Sequence, residues 1–176
     1  VSPYTRTDAQ RAHDFANARA YEEYVAGRLG VLNHTRFDAK DDLDVWVPGY
    51  FIEIKEKNQP LTDRWHLLDG VPEENLFILD ELTVRKALRW YPEVFYLLRD
   101  NAADPDNPRL FLAPVWEVIG VERVRVDRST KGKWILDLTK FRRIIDEADI
   151  PTMAHAMLVE QEWKKSPCLG GEVPQV

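Results

Sequence analysis

Asp44, Glu53 and Lys55 lie in the stretch Asp42-Leu43-Asp44-Val45-Trp46-Val47-Pro48-Gly49-Tyr50-Phe51-Ile52-Glu53-Ile54-Lys55. Two carboxylates and a lysine have a definite chemistry if the chain brings them together. Hard divalent ions such as Mg²⁺ prefer carboxylate oxygens, and one or two from the protein suffice when water and a substrate phosphate complete the shell. A metal held by Asp44, Glu53 and the backbone carbonyl of Ile54 would polarise a phosphate and lower the pKa of a bound water, with Mn²⁺ substituting for Mg²⁺. Lys55 would orient the attacking water or stabilise charge developing on the phosphoryl oxygens.

The element that must position these groups is a hairpin. Pro48-Gly49 supplies a tight turn between two apolar-rich segments. A symmetric register pairs Val47 with Tyr50, Trp46 with Phe51, Val45 with Ile52 and Asp44 with Glu53. Side chains alternate along a strand, so Glu53 and Lys55 share one face while Ile52 and Ile54 take the other. Directly opposed residues have Cβ atoms about 4.5–5.5 Å apart, and like charges there are destabilising. The Asp44–Glu53 pair therefore calls for a compensating cation. The plainer alternative is an exposed face with an Asp42–Lys55 cross-strand ion pair, worth little. Asp42 also replaces Asp44 as the first carboxylate if a bulge shifts the register.

Around the hairpin the sequence predicts alternating helices and strands. Thr7 or Asp8 caps a helix running to about Leu29, with Phe15, Ala18, Tyr21, Tyr24, Val25 and Leu29 as its apolar stripe and Gly30 as its stop. Residues 31–37 read as a strand, 62–68 as a short helical turn and 75–79 as another strand. Asp80 or Thr83 caps a helix that Pro92 ends, and Val94 to Leu98 is an apolar run of the kind covered on both faces. Strands are expected at 110–113, 121–127 and 134–138, followed by helices from Thr139 and from Pro151 to about Lys164. The expectation is one α/β domain over 1–165, with a core at about 8–99, a basic β-rich extension with C-terminal helices at 109–165, and a flexible tail at 166–176.

A chain of 176 residues with 31% charged and 44% hydrophobic residues is that of a soluble globular protein. No apolar run approaches the roughly 20 residues that span a bilayer, so no membrane partner is expected. Cys168 is the single cysteine, which excludes an intrachain disulfide and fits a reducing, cytoplasmic setting. The N-terminal residues lack the apolar stretch of a secretory signal. The net charge is −6, yet residues 122–143 carry eight Lys/Arg against three Asp/Glu. A local basic patch binds phosphates even on an acidic protein. Arg85 and Arg89, one turn apart on a predicted helix, and Arg128, Lys131 and Lys133 are the candidate DNA contacts, while Trp65 and Trp134 are candidate base-stacking positions and His66 a candidate phosphate contact.

An Asp, then Glu-x-Lys at the end of an apolar strand, within the order helix, three strands, helix, strand, resembles the PD-(D/E)xK nuclease superfamily over about residues 8–99. Leu43 stands where the family often has proline, and the gap from Asp44 to Glu53 is short. The resemblance implies a restriction-endonuclease-like αβββαβ core with a mixed central sheet. It also implies that Asp44 and Glu53 bind Mg²⁺ while Lys55 assists hydrolysis. Many members add a glutamate from the first helix. Glu22 and Glu23 both occupy the matching place, and the expectation is put on Glu23. The function so implied is Mg²⁺-dependent hydrolysis of DNA phosphodiester bonds, resolvase-like or restriction-like, by a homodimer. The alternative is a non-catalytic DNA-binding module of the same fold.

Overall fold

Thr7 opens the first helix with a capping box. Its hydroxyl accepts from the Gln10 amide at 3.2 Å, and the Gln10 side chain accepts from the Thr7 amide at 2.9 Å, satisfying amides that a helix start leaves unpaired. The computed structural model describes residues 7–31, 43–61, 68–128 and 131–165. Helix α1 (Asp8–Arg28) ends ahead of Gly30, whose φ of 67° is left-handed. Only its C-terminal half meets the core: Tyr21, Val25 and Ala26 are buried, while Phe15 is 75% and Tyr24 51% exposed. The predicted stripe is thus half right, because residues 8–17 project past the sheet into solvent.

Strands β1 (Val45–Val47) and β2 (Tyr50–Lys57) form the predicted hairpin. The chain then passes through β3 (Leu76–Asp80) and helix α2 (Glu81–Ala87) to β4 (Val94–Asp100), which lies parallel to β2. After it come β5 (Arg109–Pro114), the short helix α3 (Val115–Gly120), β6 (Val124–Arg128), β7 (Lys131–Asp137), β8 (Arg142–Ile144) and helix α4 (Ile150–Lys165). The main sheet is mixed, with five strands in the order β1-β2-β4-β5-β8; a second, antiparallel sheet runs β3-β7-β6. The protein is therefore α/β. No helix among the described residues is long and apolar enough to cross a membrane.

Two apolar layers sandwich the main sheet. On one face Val45, Val47, Ile52, Ile54, Phe95, Leu97 and Leu112 pack with Tyr21 and Val25 of α1 and Ile150, Ala154 and Met157 of α4. On the other, Tyr96, Leu98, Phe111 and Ala113 pack beneath α2, α3 and the second sheet. The run Val94–Leu98 is wholly buried, as its continuous hydrophobicity predicts.

Several expectations are corrected here. No helix starts at Thr139. The Asp137 carboxylate accepts from the Thr139 amide at 2.9 Å and from its hydroxyl at 2.7 Å, closing a single 3₁₀ turn that delivers Arg142–Ile144 to the edge of β5. The C-terminal part thus has one helix of any length, α4, together with the unanticipated α3. Residues 75–79 do form a strand, but it belongs to the second sheet. The strand expected at 31–37 falls almost wholly outside the described residues, as do the turn at 62–67 and the tail at 166–176; Asp42, Trp65, His66 and Cys168 lie in those segments.

The far end of the parallel pair is held by charge. Asp100, 1% exposed, accepts from Arg109 Nε at 3.2 Å and lies 3.7 Å from Lys57 Nζ, which donates to the Glu74 carbonyl at 3.1 Å. Removing one member of a buried set strands the others, at about 3–5 kcal/mol. Asp100→Ala should lose stability of that order in urea unfolding, with the slope against urea unchanged.

Candidate active site

The hairpin register is the one its symmetry predicts: Val45 pairs with Ile52, Trp46 with Phe51 and Val47 with Tyr50. Gly49 has φ of 98°, a conformation that makes glycine the natural residue for this turn. Asp44 therefore falls one position before β1, at the level of Glu53. Its Oδ2 accepts from the Ile54 amide at 2.6 Å, so the carboxylate takes over an amide that the short strand β1 leaves unpaired.

Glu53 and Lys55 lie on the same face of β2. Lys55 Nζ is 2.6 Å from Glu53 Oε1, 3.6 Å from Asp44 Oδ2, and donates to the Ile54 carbonyl at 2.8 Å. The compensating cation that the Asp44–Glu53 pair demands is thus supplied by the chain itself. Oxygens of Asp44, Glu53 and Ile54 converge on one point, and that point holds an ammonium. The other Glu53 oxygen, Oε2, is buried without a hydrogen-bond partner.

Glu22 is the helix carboxylate that faces this cluster. It is half-buried, and burial, followed by the charges of Asp44 and Glu53, pushes its pKa up to about 7 against the opposing effect of Lys55. Glu23 is exposed, pointing away to an ion pair with Arg19 at 4.0 Å. The one-residue difference is a rotation of about 100° around α1, and the burial of Tyr21 and Val25 leaves Glu22 on the sheet side.

Burial also raises the Glu53 pKa, with Asp44 adding to the effect and Lys55 and Lys86 opposing it. For Lys55, desolvation favours the neutral amine, but Glu53, Asp44 and Glu22 outweigh it and hold the ammonium above its ordinary range. Tyr96, opposite Glu53 across the parallel pair, is pushed upward by burial and then by Glu53 and Asp44.

The predicted nucleic-acid contacts do not join the cluster. Arg85 bonds Glu81 Oε1 at 2.7 Å, Arg125 bonds Glu81 Oε2 at 2.8 Å, and Lys133 pairs with Asp80. The guanidinium of Arg123 lies 4.1 Å from the Trp134 ring centre, covering a face that base stacking requires. Acidic residues around the start of α2 thus balance part of the basic stretch. Arg89 is exposed in the 3₁₀ turn after α2, and Arg128 and Lys131 face each other across the β6–β7 hairpin. The cation of α2 that acts on the cluster is Lys86, which sequence periodicity did not single out.

Among the described residues, no three His, Cys, Asp or Glu side chains are grouped so as to hold a metal ion; Lys55 stands at the focus. The donor types nonetheless suit a hard ion: two carboxylates and a carbonyl converge on a cation, with one buried carboxylate oxygen unpartnered. Comparison of the chain with protein-family models, curated proteins and solved structures gives no match.

The Glu22 pKa has a consequence for stability. Between its ordinary value of 4.5 and about 7 the folded chain keeps a proton on Glu22 that the unfolded chain has released. Folding takes up a proton in that window, so this contribution to stability falls as pH rises through it. In metal-free buffer, thermal unfolding of Glu22→Gln relative to the parent chain should become more favourable to the variant as pH rises from about 4.5 to about 7; an unchanged difference between the two curves would exclude the shift.

Proposed function

We propose that this protein is a divalent-metal-dependent nuclease that hydrolyses phosphodiester bonds in DNA, with its centre at Asp44, Glu53 and Lys55. The observation that carries this reading is the convergence of the Asp44, Glu53 and Ile54 oxygens on a single cation at the open edge of the sheet. The surrounding order supports it. A helix bearing a carboxylate precedes the antiparallel hairpin, and a crossover through α2 leads to β4 parallel to β2, as in the restriction-endonuclease-like core that the motif resembles.

Asp44, Glu53 and the Ile54 carbonyl would hold Mg²⁺ or Mn²⁺. The chemistry such an ion supplies is polarisation of a phosphoryl oxygen and a lowered pKa for bound water. Lys55 is held protonated by its acidic neighbours, so its role is that of a charge and hydrogen-bond donor to the phosphoryl oxygens or to the attacking water; it is not the base. Glu22, with a pKa near 7, is matched to accept the proton of that water at neutral pH. Its ionised form is the active one, so activity through this group rises with pH across about 7.

Cleavage of linear, nicked and branched DNA in Mg²⁺ tests the proposal. Glu53→Ala and Lys55→Ala should each lower the rate by about 10²-fold or more with the fold retained by circular dichroism. Undiminished cleavage by either purified variant would refute the assignment.

A further inference from the structure

Lys86 is set on α2 so that its chemistry can reach the same centre. The Tyr96 hydroxyl donates to the Thr83 carbonyl at 3.3 Å, and Val84 and Ala87 are buried, which together fix α2 over β4. Tyr96 is the residue opposite Glu53 in the parallel register. Lys86 follows Thr83 by three positions, placing the two on neighbouring parts of one helix face. Its neighbour Arg85 is tied to Glu81. Lys86, by contrast, is half-buried and makes no hydrogen bond or ion pair with any described residue. Its charge acts on Glu53, opposing the effect of burial there.

Charge balance defines what such a lysine would do. Glu22, Asp44 and Glu53 outnumber Lys55, so a polyanion approaching the cluster meets net negative charge unless a further cation faces it. We propose that Lys86 is a substrate-positioning residue that contacts a backbone phosphate of the DNA strand entering the Asp44–Glu53–Lys55 cluster. This rests on the nuclease reading for the identity of the ligand, and it assigns recognition of the acidic centre's substrate to α2. The basic β6–β7 hairpin is a weaker source for that contact, because Arg125 and Lys133 there are already paired with acids.

The test is the salt dependence of binding. A fluorescein-labelled DNA duplex is titrated with the full chain in Ca²⁺ over a range of NaCl concentrations and followed by anisotropy, while cleavage is read separately in Mg²⁺. One lost phosphate contact on duplex DNA removes about 0.9 from the slope of log K against log salt. Lys86→Met should show that change, together with roughly tenfold weaker binding and a raised KM, and Lys86→Arg should restore the slope. A Lys86→Met chain that is less heat-stable but has an unchanged slope would make Lys86 structural and overturn the proposal, as would unchanged binding. If the parent chain binds without cleaving and Lys86→Met still loses the slope, hydrolysis fails and the phosphate contact stands. Parent chain that neither binds nor cleaves DNA overturns both.

Discussion

Glu53 is 3% exposed in the middle of a strand that is itself part of a covered sheet, and an unneutralised carboxylate there would cost several kcal/mol. The surrounding structure can be understood as the means by which that cost is offset. Lys55, two residues along and hence on the same face, brings its ammonium to 2.6 Å. Asp44 is pinned beside the pair by the Ile54 amide. Glu22 completes an acidic set whose members raise one another's affinity for protons or for another cation. The arrangement is stable with a lysine at its focus and is chemically suited to exchange that partner for a stronger one.

The fold keeps this face in place by fixing β2 at both ends. At its start, the Pro48-Gly49 turn sets the register; at its end, Lys57, Asp100 and Arg109 tie β2 to β4 and β5. A slip of one residue would turn Glu53 and Lys55 into the apolar layer beneath α1 and expose Ile52 and Ile54. The crossover between β2 and β4 contributes α2, which closes the opposite layer above Tyr96, and α1 brings its last turns, with Glu22, to the edge where β1 stops. The two apolar layers thus carry both helices that flank the cluster.

Local features were legible in the sequence because short-range rules govern them. The capping of α1, the hairpin and its register, the fully buried β4 and the start of α2 all follow from patterns within about ten residues of each other. What was not legible depends on long-range contacts. The exposure of Phe15 and Tyr24 reflects how far α1 overhangs the sheet, which its own periodicity does not encode. Residues 142–144 become a strand because the edge of β5 is available, although Thr139 resembles a helix start. The charge run at 122–143 reads as a free patch until β7 pairs with β3 and brings Asp80 and Glu81 against it. At the centre itself, sequence gave the three motif residues but not the choice of Glu22 over Glu23, which rests on a rotation of α1, nor Lys86, which depends on where α2 docks.

The central claim is that the cluster around Lys55 is a divalent-cation centre, and the most direct measurement is calorimetric titration of the metal-free protein with Mg²⁺ or Mn²⁺ in two buffers of different ionisation heat, near pH 6.5. Because burial holds protons on Glu22 and Glu53 and metal binding displaces protons, the account predicts saturable binding with net proton release, lost in Asp44→Asn. Absence of binding with and without DNA, or equal binding by Asp44→Asn, would contradict it.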